Sequence, residues 1–137
     1  MLPTISRREL LADACALPLF GQTSSAAEPI ELSAGPLTLV FEPEIAFVRY
    51  IRAADREILR GVYAAVRNSV WGTVPAQVRN IQVKRNDGGF LLTFTSEHKQ
   101  DDIDFIWNGT LTGTREGTLK FSFDGKARSA FRRNRIG

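Results

Sequence analysis

The sequence predicts an all-β protein, an antiparallel β-sandwich standing alone or forming the first part of a larger supersandwich, on three observations. From Leu32 onward apolar residues recur with a period of two, the pattern of strands with one buried face. Turn-forming residues interrupt that alternation at short, regular intervals. Helical periodicity is scarce, and short amphipathic strands bury their apolar faces best by packing sheet on sheet.

The first 27 residues stand apart from that body. Ser6-Arg7-Arg8-Glu9-Leu10-Leu11, an apolar stretch from Ala14 to Phe20 and the small residues Thr23 to Ala27 have the layout of a bacterial export signal. The paired arginines resemble a twin-arginine signal, although Asp13 interrupts the apolar stretch and Leu10 stands where Phe is usual. Ser25 and Ala27 suit the two specificity positions of a signal peptidase, which places cleavage before Glu28. The expectation is an exported protein, periplasmic or extracellular, with residues 28–137 as the mature region. The alternative is an amphipathic helix over Arg7 to Leu19 on a cytoplasmic chain.

In the body, Leu37 to Phe41 and Ile45 to Ile51 read as strands joined at Glu42-Pro43-Glu44, where proline removes a ladder donor. Ile58, Leu59, Val62, Tyr63 and Val66 fit a helical stripe, but Gly61 and the β-branched content favour two short strands over Arg56 to Arg67. Alternation resumes over Val78 to Lys84. Phe90, Leu92 and Phe94, then Ile103, Phe105 and Trp107, then Leu119, Phe121 and Phe123 give three strands with aromatic-rich faces toward one core. Asn86-Asp87-Gly88-Gly89, Gln100-Asp101-Asp102 and Gly113 to Gly117 supply the hairpin turns, so the topology is a meander. The basic segment Phe131 to Ile136 reads as a last strand without a visible partner. It implies the front part of a longer protein whose further domains follow, and an edge open to self-association.

Composition narrows the function classes. No segment approaches the length of a membrane-spanning helix. The net charge of +3 is uneven, because Lys126, Arg128, Arg132, Arg133 and Arg135 face no acids in the last twelve residues. In a strand such arginines form a solvated or carboxylate-paired face, so no nucleic-acid partner is expected. Cys15, the only cysteine, lies in the leader, and one histidine without cysteine builds no zinc site. Asp101-Asp102-Ile103-Asp104 lacks the glycine and closing glutamate of a calcium loop and reads as a turn. No metal and no cofactor is expected, and nucleophile elbows, phosphate loops and dinucleotide fingerprints are absent.

Five residues remain as ligand-binding candidates. His98 shares the inward parity of Phe90, Leu92 and Phe94 at a strand end, where a structural role competes with that of a general base. Trp107 fits the core, whereas Trp71 falls in the loop Asn68 to Pro75, either as a plug over the sandwich end or as a platform for a sugar ring. Tyr63 is a second flat face. Arg67 and Arg60 would pair with a carboxylate ligand, or with Glu57 and Asp55.

The segment Arg56 to Arg67 followed by Trp71-Gly72-Thr73-Val74-Pro75 resembles the N-terminal region of D-apionate lactonase-like proteins. Ala34-Gly35-Pro36-Leu37, Arg49-Tyr50-Ile51-Arg52 and Phe131 to Gly137 resemble the same region in the same order, so the likeness spans residues 33–137. It implies the N-terminal β-sandwich of a carbohydrate-active, lactonase-like hydrolase of the sugar-acid lactone class, not catalytic alone, with a carbohydrate or sugar acid as partner. It transfers no catalytic residue onto this chain. The alternatives are an exported carbohydrate-binding module and a fragment of a galactose-mutarotase-like epimerase, whose chemistry requires a His/Glu acid-base pair.

Overall fold

The computed structural model describes residues 27–137, so the expected leader, Cys15 included, lies outside the described residues except for Ala27. Two antiparallel four-stranded meanders form the domain. The first sheet runs in chain order through β1 (Ile30–Ala34), β2 (Leu37–Glu42), β3 (Phe47–Ala53) and β4 (Arg56–Val62). After a short β5 (Val66–Asn68), the second runs through β6 (Ala76–Asn86), β7 (Gly89–Gln100), β8 (Ile103–Gly113) and β9 (Leu119–Ala127). A final strand, β10 (Arg133–Ile136), pairs antiparallel with β5. The described residues contain no helix, as the period-two pattern requires.

The inner faces meet in one apolar core. Leu32, Ala34, Leu37, Leu39, Phe41, Val48 and Ile51 come from the first sheet; Phe90, Leu92, Phe94, Ile103, Phe105, Trp107 and Leu111 come from the second. Phe41 and Phe94 bridge the sheets with ring centroids 5.0 Å apart. Glycine makes room at Gly109, where a Cβ would overlap the ring of Phe94 lying across it.

Two bulges correct the alternation where the sequence departs from period two. Tyr50 and Asn80 both take positive φ, at 53° and 54°. The first lets Val48 and Ile51, three apart, face the same core; the second does so for Val78 and Ile81.

Four expectations change. β1 belongs to the sheet although its single full alternation, Leu32 and Ala34, was too short to read as a strand. Ile45 lies in the turn before β3 and is exposed. The terminal strand is not unpaired, because β10 finds β5. The aromatic face of β9 is only partly buried: β9 is an edge strand, and Phe123 remains 36% exposed. The acidic turn Asp101 to Asp104 is a clasp. Arg128 donates to Asp104 at 2.8 Å, Ser129 donates to the Asp102 carbonyl at 2.7 Å, and no metal-ligand cluster occurs among the described residues.

Candidate functional site

His98 is the fifth residue of an inward-facing row on β7 that begins at Phe90, and it is 3% exposed. Its Nδ1–H donates to the Val74 carbonyl at 3.0 Å, and its Nε2 accepts the indole N–H of Trp107 at 3.0 Å. Since indole is a donor only, Nε2 must carry the lone pair and the ring must be neutral. Ser96 Oγ lies 3.0 Å from the same nitrogen. Burial lowers the pKa of His98, opposed only by the bond to Val74. A histidine whose sole lone pair is engaged inside the core is a fastener: it ties the 69–75 loop, through Val74, to β7 and β8. It has no free lone pair with which to act as a general base.

The Trp71 turn is built from Asn68. Its Oδ1 accepts the N–H groups of Val70 at 3.1 Å and Gly72 at 2.7 Å, while its backbone N–H donates to the Gly72 carbonyl at 2.9 Å. These bonds force the chain to reverse within a few residues and hold Trp71 at φ 68°, a region costly for a side chain of this size. Trp71 is 63% exposed, which overturns the plug reading. Tyr63 is also half exposed, and its ring stacks edge-on against Phe47 with centroids 4.4 Å apart.

Three of the five candidates therefore meet. A shallow concavity of about 440 Å³ at this end of the sandwich is lined by Tyr63, Ala65, Arg67, Trp71, Arg135 and Gly137. An adjoining one of about 280 Å³ shares Tyr63 and Arg67 and reaches Val74 and His98. Arg67 Nη1 donates to the Trp71 carbonyl at 3.3 Å, fixing the guanidinium beside the turn. Arg60 lies elsewhere: it projects from β4 toward Glu57, whose carboxylate holds it charged and raises its pKa, and it lines neither concavity. Sequence reasoning missed Arg135, because only the pairing of β10 with β5 brings it beside Arg67.

Residues 17–137 match the D-apionate lactonase, N-terminal domain family. The chain belongs to that family. The match extends beyond the resemblance legible from residue 33 and reaches into the segment read as a leader. A D-apionate lactonase of Brucella anthropi is 29% identical over 120 residues, covering 87% of this chain and 19% of that protein. The chain thus spans about a fifth of the length of the curated relative it matches. No solved structure gives a match.

Proposed function

We propose that this domain serves a lactone-hydrolysing enzyme of the sugar-acid class as a substrate-assisting module that carries no catalytic set of its own. The observation that carries the reading is the meeting of exposed Trp71 and Tyr63 with Arg67 at one end of a domain whose family occurs in D-apionate lactonase. Flat aromatic faces stack on the apolar face of a sugar ring, and a guanidinium binds its oxygen substituents. Histidine is the commonest base for activating water, and the one histidine is locked in the core. The further domains of a longer lactonase-type polypeptide are the proposed partners. Export, read from the first 27 residues, remains part of the proposal.

The exposure of Trp71 also favours a second reading, an exported carbohydrate-binding module acting without a lactonase. Nothing favours the epimerase, whose His/Glu pair has no counterpart around His98.

Titrating the chain with a five-carbon aldonolactone while following tryptophan fluorescence and lactone concentration tests the reading. The expected outcome is a saturable fluorescence change with no lactone consumed above the buffer rate. Turnover by the chain alone would sink the non-catalytic assignment, and an unchanged spectrum with both the lactone and its acid would sink the platform.

A further inference from the structure

The two arginines at this end are opposed in a way that protein sheets ordinarily avoid. Arg135 of β10 stands directly across the ladder from Arg67 of β5. Directly opposed residues of an antiparallel pair share a face with Cβ atoms about 4.5–5.5 Å apart, and like charges there destabilise the pairing. The register could have avoided this. Arg133 pairs with Asn68, so an unbroken ladder would set Asn134, a neutral residue, opposite Arg67; a register shift between Arg133 and Arg135 brings the second cation in instead. Bulges are over-represented at sheet edges and next to active sites, where they re-aim a side chain.

Among the described residues neither arginine has an ion-pair partner. All ion pairs among the described residues involve Arg49, Arg60, Arg79, Lys99, Arg115 and Arg128. Arg67 spends one donor on the Trp71 carbonyl, and both arginines line the same concavity as Trp71. Two cations beside an aromatic face fit an oxyanion carried on a body with an apolar face, and the function proposed above selects a carboxylate over a phosphate.

We infer that Arg67 and Arg135 form a carboxylate clamp, with Trp71 as its stacking wall, that binds a sugar acid in preference to its lactone. The chemistry makes the distinction sharp. A simple aldonolactone is uncharged. Hydrolysis adds water across the acyl C–O bond, frees the ring oxygen as a hydroxyl and leaves a carboxylic acid that ionises at neutral pH. A doubly cationic site therefore recognises the product side of that reaction, and within a lactonase it acts as a product-holding or product-sensing site. The ligand class rests on the function proposed above; the anion clamp rests on the register alone.

Calorimetric titration of the full chain separates the two. With a five-carbon aldonate, its lactone and acetate as probes at low ionic strength, the acid is expected to bind at least tenfold more tightly than the lactone and than acetate. Arg135→Gln is expected to lower affinity for the acid at least tenfold. In the ligand-free chain the same substitution is expected to leave the melting temperature unchanged or slightly higher, because it removes repulsion. Equal affinity for acid and lactone, or an Arg135→Gln chain that binds the acid as well as the parent, would overturn the clamp. Acetate binding as tightly as the aldonate would uphold the clamp and overturn the sugar-acid reading. Should Arg135→Gln prove unstable, Arg135→Lys supplies the same comparison: it keeps the charge, loses the bidentate fork and is expected to fall between the two.

Discussion

Trp107 and Trp71 are the same side chain under opposite constraints, and the contrast between them separates what holds this domain together from what it leaves exposed. Trp107 is 1% exposed; its ring lies 5.1 Å from Phe94 and 4.8 Å from Phe123, and its N–H is satisfied by His98. Every polar and apolar requirement of an indole is met inside the protein. Trp71 is mostly in solvent, on a backbone conformation that costs energy, with Arg67 bonded to its carbonyl rather than its ring packed into the core. A tryptophan that gives the fold so little while straining its backbone is what the function proposed above requires of a stacking platform. Their connection is the 69–75 loop: Trp71 sits at its turn, and Val74, near its end, is held by the histidine that Trp107 caps.

The largest expected effect lies at the buried member. Trp107→Ala should cost about 3–5 kcal/mol, from lost burial and the cavity left behind. Domains of this kind have about 5–15 kcal/mol in total, so the variant should sit close to its unfolding midpoint in buffer. Trp107→Phe should cost less, about 1–2 kcal/mol, because much of the packing survives and Ser96 still faces His98 Nε2. Urea midpoints by circular dichroism measure both. Equal losses for the two variants would mean that the indole N–H, not the ring, is what the core requires.

His98 gives the next effect, and it has a sign. Its folded pKa lies below its ordinary value of 6.5, so below about that pH the unfolded chain takes up a proton that the folded one refuses. Its contribution to stability is therefore fully present above the ordinary value. It is lost as pH falls from there toward the lowered folded value, at no more than about 1.4 kcal/mol per pH unit. Protonation would set an Nε2–H against the Trp107 N–H, breaking that bond and leaving Ser96 Oγ as the acceptor for Nε2. His98→Leu should abolish this component while lowering stability at neutral pH by about 1–3 kcal/mol, since the Trp107 donor is then orphaned. Urea midpoints of both proteins at pH 7.5 and 5.0 check it: unchanged pH dependence in the variant would assign the slope to the surface carboxylates.

Both tryptophans were assigned from the sequence by different signals, which explains what else was legible. Parity with Ile103 and Phe105 places Trp107 in the core, and parity serves equally for His98 and the long β7–β8 hairpin. It failed at β1, which offers one alternation, and on β9, where it gives the direction of Phe123 correctly but not whether another layer covers it. Trp71 stands out by its place in a turn-rich loop, and its exposure has no sequence signal because it depends on how Asn68 folds the turn. Arg135 was invisible as a site residue. Its role arises from a strand pairing across more than sixty residues and a one-residue register shift, neither of which leaves a local trace.

The smallest expected change in stability is at Trp71, and it is the most informative about the exposed member of the pair. Holding an L-residue at φ 68° costs about 1–2 kcal/mol, a cost glycine avoids, while glycine gives back about 0.5–1 kcal/mol in chain entropy. Since the exposed ring has little burial to lose, Trp71→Gly should be as stable as the parent or more so, by up to about 1 kcal/mol. Trp71→Ala, which keeps the backbone strain and forfeits the remaining contacts, should be the least stable of the three. About 1 kcal/mol moves the melting temperature of a domain this size by about 4–8 °C, so the order is measurable. Both variants should lose the fluorescence response to sugar acid. A drop of more than about 2 kcal/mol in Trp71→Gly would make Trp71 a structural residue like Trp107, and the division of labour between the two indoles would collapse.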